Sequence, residues 1–184
     1  MIARDSAGAQ TPARPGDRIV LRIRLDSTAT DTLRLDPRGV VVLPYVGDVA
    51  MTGFSADAIQ DTIRARLSTY VRPEAVEATL LRRIRVVGEV GLPGVYFVDR
   101  TFTVRDAIAL AGGVGENGHE TRVTLDRDGT VHLIKDWRVD PGGQWPVASG
   151  DQLTVRRLPW YQRNVLAVVT AISVLASIVI TVSR

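Results

Sequence analysis

Histidine, cysteine, paired carboxylates and glycine-rich loops are the residues that most often do chemistry, and this chain has few of them. His119 and His132 are the only histidines. Neither has a second ligand-type residue at a spacing that would place both on one metal, so each reads as a surface or strand residue. There is no cysteine, which excludes thiolate metal sites, disulfides and cysteine nucleophiles. Asp126 and Asp128 beside Gly129 resemble a fragment of a calcium loop, but the downstream glutamate is missing and a hairpin turn explains them. Gly112-Gly113-Val114-Gly115 follows a helical pattern, whereas a phosphate-cradling loop follows a strand and opens a helix. Serines occur without a His/Asp set, and no acid/base pair stands out. The expectation is a protein that is not an enzyme and holds no cofactor or metal.

The elements that would position any site are better defined. Of 184 residues 45% are hydrophobic, enough to bury a core, and 23 basic residues against 20 acidic ones give +3. All the basic residues except Lys135 are arginines, spread along the chain among aspartates, so a nucleic-acid partner is not expected. After Pro15-Gly16-Asp17, Ile19, Leu21, Ile23 and Leu25 alternate with polar positions as in a half-buried strand. Val40 to Leu43 is a short apolar strand ending at Pro44, and Gly47-Asp48 breaks the chain soon after. Ser55 suits the N-cap of a helix with Ile59, Ile63 and Leu67 on one face, and Val76, Ala78 and Leu80 alternate as a further strand.

A second unit begins with Ile84 to Val87, turns through Gly91-Leu92-Pro93-Gly94 and returns as Val95 to Val98. Thr103 and Asp106 have capping-box spacing ahead of a helix that Gly112-Gly113 ends. Asp128-Gly129 joins Arg122–Leu125 to Thr130–Ile134 as a hairpin, and Gln152 to Arg156 is the last strand. Two strands, a helix and more strands is the order of a β-grasp domain. The reading is α+β: residues 1–14 a tail or precursor remnant, 15–83 one α/β domain, 84–158 a β-grasp domain, and 159–184 a membrane segment. Within the first of these, Ala7-Gly8-Ala9 before Gln10 fits either a cleavage pattern or a chance match in a polar tail.

The membrane expectation rests on the 20 uncharged residues from Asn164 to Ser183, about 30 Å as a helix and long enough for a bilayer's hydrocarbon. Trp160 and Tyr161 precede it where an interfacial belt would sit. At 100° per residue Thr170, Ser173, Ser177 and Thr181 share a stripe that Arg163 and Arg184 extend. Such a stripe suits either helix packing or a water-filled lumen, and both need further copies.

Several phrases resemble the outer-membrane polysaccharide export family. Pro15-Gly16-Asp17 with its strand, then Leu43-Pro44-Tyr45-Val46-Gly47 and Thr52-Gly53-Phe54-Ser55, look like that family's opening landmarks. Val87-Gly88-Glu89-Val90 through Pro93-Gly94-Val95-Tyr96, Ala107 to Gly113, and Ser149-Gly150-Asp151 look like its soluble-ligand-binding β-grasp (SLBB) repeat. The resemblance implies a ring-shaped homo-oligomer in the outer membrane with periplasmic domains, conducting capsular or exopolysaccharide and working with an inner-membrane polysaccharide co-polymerase. The hydroxylated stripe would then face the pore and the flanking aromatics the lipid bilayer. Only one β-grasp repeat can be placed, and neither the family's export signal nor its lipidated cysteine is evident in these 184 residues. A competing reading is a tail-anchored inner-membrane adaptor that binds glycan or a synthase, because eleven of the tail residues are Val, Ile or Leu.

Overall fold

The structure is a computed structural model that describes residues 11–24, 28–159, 164, 169, 170 and 173. The architecture is α+β. Strand β1 (Arg18–Arg24) pairs antiparallel with β2 (Thr28–Arg34) on one side and with the first half of β5 (Val76–Gly88) on the other. The second half of β5 pairs antiparallel with β6 (Gly94–Val98) and parallel with β9 (Gln152–Arg157). β9 then pairs with β7 (Gly118–Arg127), which forms a hairpin with β8 (Thr130–Ile134). A separate hairpin joins β3 (Val40–Leu43) to β4 (Gly47–Ala50).

Helix α1 (Ala56–Leu67) forms where the four-residue apolar repeat predicts it. Ser55 caps it by accepting from the Ala58 N–H at 3.2 Å, a bond worth about 1 kcal/mol. Its Ile59, Ile63 and Leu67 are fully buried against Ile19, Leu21, Ala78 and Leu80, each contributing roughly 1.5–3 kcal/mol. Helix α2 (Val104–Leu110) has the reciprocal Thr103/Asp106 capping box and ends where the Gly113 N–H reaches the Ile108 carbonyl at 2.9 Å. Val104, Ala107 and Ile108 pack a second core with Ile84, Val86, Val123, Leu125, Leu153 and Val155.

Both cores lie on the same face of β5. Its even-numbered residues from Val76 to Val86 are all buried, while Arg83 and Arg85 point to the other face and are exposed. Val76–Leu80 and Ile84–Val87, which read as separate strands in the sequence, are one continuous strand shared by both cores.

The expectation of a transmembrane helix over the C-terminal stretch is corrected. Among the described residues no helix is long and apolar enough to cross a membrane, a finding that does not bear on β-barrels. Of the uncharged run the structure describes residues 164, 169, 170 and 173, too few to make up the length that a span requires. Ser173 Oγ donates to the Val169 carbonyl at 2.9 Å, so its polarity is satisfied within its own turn. Thr170 and Ser173 are helical and exposed, while Trp160, Tyr161, Arg163, Ser177, Thr181 and Arg184 lie outside the described residues.

Candidate functional site: the seam on strand β5

Two turns of similar sequence, Pro15-Gly16-Asp17 and Ser149-Gly150-Asp151, are brought together on β5. The Arg83 N–H donates to Asp17 Oδ1 at 2.8 Å, and the Arg85 N–H donates to the Asp151 carbonyl at 2.9 Å. Amides two residues apart on a strand point the same way, so β1 and β9 occupy the same edge of β5. They start side by side at the two turns and run apart. β6 takes the opposite edge.

Asp17 fastens this junction. It is fully buried, and its carboxylate accepts from the backbone N–H of Arg14 at 2.9 Å and that of Arg83 at 2.8 Å. Ser149 Oγ, itself buried, lies 2.6 Å from both carboxylate oxygens. Asp17 and Ser149 are 132 residues apart in sequence, so one short bond ties the first turn of one core to the last turn of the other. Gly16 and Gly150 both have positive φ, +91° and +88°, which explains why glycine stands in the middle of each turn.

Asp151 repeats the arrangement one step along. It is buried, accepts from the Ala148 N–H at 2.7 Å, and forms a forked pair with Arg127 at 3.0 and 2.7 Å. Outside the seam Arg14 makes a second fork with Asp128, at 2.5 and 2.9 Å. That hydrogen bond holds the Asp128 carboxyl below its ordinary pKa and raises that of Arg14. Asp126 and Asp128 thus serve the hairpin and the seam: Asp126 accepts from the Gly129 N–H at 3.1 Å.

Arg82 sits where the two cores meet, in the buried row between Leu80 and Ile84. Only 1% of it is exposed. Its Nη1 donates to the Val147 carbonyl at 3.1 Å, while Nε and Nη2 have no partner among the described residues. Burial lowers its pKa, with Asp17 acting in the opposite direction. A buried cation with so few bonds is weak support for a fold. Arg82→Met should therefore raise the stability of the chain by about 1–3 kcal/mol in urea unfolding. A loss of more than about 1 kcal/mol would show that the guanidinium is better compensated than its contacts indicate.

The other motif turns have architectural roles. Gly91 packs on Gly112 so closely that a Cβ on Gly91 would lie 3.1 Å from the Gly112 carbonyl oxygen, and Leu92 N–H donates to the Ala111 carbonyl at 2.7 Å. Glu89 pairs with Arg157 at 3.0 Å. Pro93-Gly94 leads into β6. The Pro44 turn differs: Tyr45 has φ +65°, is 75% exposed and stacks on exposed Tyr70 with ring centroids 5.5 Å apart. Nothing in the spacing of Leu43 to Gly47 announces that stack, because Tyr70 follows α1. Among the described residues His119 bonds Thr121, and His132 lies edge-on to Trp145. No cluster of three or more metal-ligating side chains is found among the described residues.

Two packed units, one around α1 and one around α2, are thus fused through one strand, with buried polar groups spent on the junction. Residues 7–81 match the polysaccharide biosynthesis/export protein family, and residues 83–135 match the SLBB domain. The chain belongs to the capsule and exopolysaccharide export family. It is 28% identical over 132 residues to the capsule polysaccharide export outer membrane protein CtrA of Neisseria meningitidis, covering 67% of this chain and 33% of that one. With the polysialic acid transport protein KpsD of Escherichia coli it shares 29% identity over 123 residues, 64% of this chain and 22% of that protein. With the exopolysaccharide production protein ExoF of Rhizobium meliloti it shares 30% over 105 residues, 54% and 25% respectively. The matched region is a third or less of the length of these relatives.

Proposed function

We propose that this chain is a non-catalytic part of an outer-membrane apparatus that exports a surface polysaccharide, with its two folded units in the periplasm. The observation that carries the reading is the tandem of an export-family unit and an SLBB unit, in that order, joined through β5. Relatives named for capsule export, polysialic acid transport and exopolysaccharide production support it. In its finer form the protein works as a homo-oligomeric ring with an inner-membrane polysaccharide co-polymerase. A rigid two-unit subunit suits a ring, because the angle between neighbouring copies then fixes closure.

Deleting the gene in its native host should abolish surface glycan while synthesis of the polymer continues inside the cell. Normal surface display in the deletion strain would sink the export reading. Light scattering in mild detergent should give a mass several times the 20.0 kDa of one chain. A monomer in several detergents would remove the ring.

A further inference from the structure

The face of the sheet opposite both cores carries an unusual concentration of arginine. Arg18 on β1 stands directly across from Arg34 on β2, and Arg83 and Arg85 follow on β5. Like charges opposed across a strand pair are destabilising. Among the described residues neither Arg18, Arg34 nor Arg83 has a carboxylate within ion-pair distance of its guanidinium. Of the adjacent acids, Asp17 and Asp151 are buried and already bound by the seam, and Asp126, which faces Gln152 across β9 and β7, accepts from the Gly129 N–H.

These side chains are held in place without being neutralised. Arg18 lies over the Phe97 ring, its Cζ 3.7 Å from the centroid, and Arg85 Nη1 donates to Gln152 Oε1 at 3.3 Å. The Arg83 guanidinium fills the space beside Gly16, where an added Cβ would come within 3.1 Å of Nη1. Arg83, Arg85 and Gln152 also line a cleft of about 140 Å³ that opens next to Gly150.

We infer that this arginine face binds a carboxylate-bearing polysaccharide, the acidic sugars pairing with Arg83 and Arg85 and the chain lying across the sheet. The inference rests on the export reading and narrows its substrate to acidic glycans. Guanidinium forks match carboxylates in shape as well as charge. Gln152 supplies an amide for sugar hydroxyls. Nucleic acid would need open aromatic faces for its bases, and Arg18 covers the Phe97 ring.

The test uses the full chain in mild detergent and a fluorescently labelled oligogalacturonate, read by anisotropy. Binding should saturate, weaken as salt is raised, and be absent for a malto-oligosaccharide of equal length. Arg83→Ala and Arg85→Ala should each weaken it about tenfold, the loss expected for one hydrogen-bonded charge contact. Arg83→Lys should restore part of the loss, and Arg66→Ala on α1, which packs against the opposite face, should change affinity by less than about twofold. All of these positions except Arg18 and Gln152 are exposed, so the variants should melt as the parent does.

Equal binding of the neutral oligosaccharide, equal binding of polyphosphate, or full affinity in both alanine variants would overturn the proposal. So would a loss of oligomer mass on Arg83→Glu with no oligogalacturonate binding by the parent, since the face would then be a contact between copies. The two readings fail separately. If gene deletion blocks surface display but oligogalacturonate does not bind, the export role stands and the acidic-glycan site falls.

Discussion

Asp17→Ala should cost about 3–5 kcal/mol of unfolding free energy, among the largest effects of any single change in the chain. The carboxylate is fully buried and serves three donors, the Ser149 hydroxyl and the backbone N–H groups of Arg14 and Arg83. Each buried donor left without an acceptor costs about 1–3 kcal/mol. The methyl group left behind cannot accept, and the loss also removes the charge that most favours Arg82 in its ionised form. Ser149→Ala removes only the hydroxyl and should cost less, about 1–2 kcal/mol. Urea unfolding followed by circular dichroism measures both. If Asp17→Ala lost less than about 1 kcal/mol, the seam would owe its order to the flanking strands and not to this carboxylate. Combining Asp17→Ala with Arg82→Met offers a further check: the pair should lose less than the sum of its parts if the two groups compensate each other.

Gly88→Ala should be at least as damaging, with a loss of about 4 kcal/mol or more. Gly88 closes β5 at φ +91°, and a Cβ there would lie 2.0 Å from the carbonyl oxygen of Val155. That oxygen belongs to the middle of β9 and accepts from the Glu89 N–H at 3.0 Å, so it cannot retreat without breaking the ladder. Strain and overlap therefore add. Gly129→Ala separates the two contributions, since Gly129 has φ +79° but nothing within 4 Å of its notional Cβ. It should cost only about 1 kcal/mol. Similar losses at both positions, measured by the same urea titration, would mean that φ alone is responsible and that β9 adjusts freely.

Most of the elements were legible because they bury one face. Ile59, Ile63 and Leu67 give α1, Thr103 with Asp106 gives the start of α2, and Asp128-Gly129 gives the β7–β8 hairpin. β2 was not legible. Thr28 to Arg34 lies at the sheet edge and only Leu33 is even half-buried, so no apolar alternation exists to be read. β5 appeared as two strands because Arg82 occupies a core-facing position, where an arginine interrupts the apolar pattern. The seam was invisible for a different reason. Both turns could be picked out as glycine turns, but the bond between Asp17 and Ser149 spans nearly the whole chain and has no local spacing to betray it. The arginine face was hidden likewise: its members come from three strands, and only the register of β1 against β2 and β5 places them together. The tail shows the opposite failure, a composition signal strong enough to suggest an element that the described residues do not contain.

The single strand shared by both cores also has a mechanical meaning. A load applied to one unit reaches the other through thirteen residues of covalent backbone, reinforced along one edge by β1 and then β9. Such a beam has no soft point at which one unit could swing against its neighbour, because the place where a hinge would fall is where Asp17, Ser149 and Asp151 clamp it. If copies of this chain form the ring proposed above, any widening or narrowing of its passage would have to come from slippage between beams, with each beam keeping its shape.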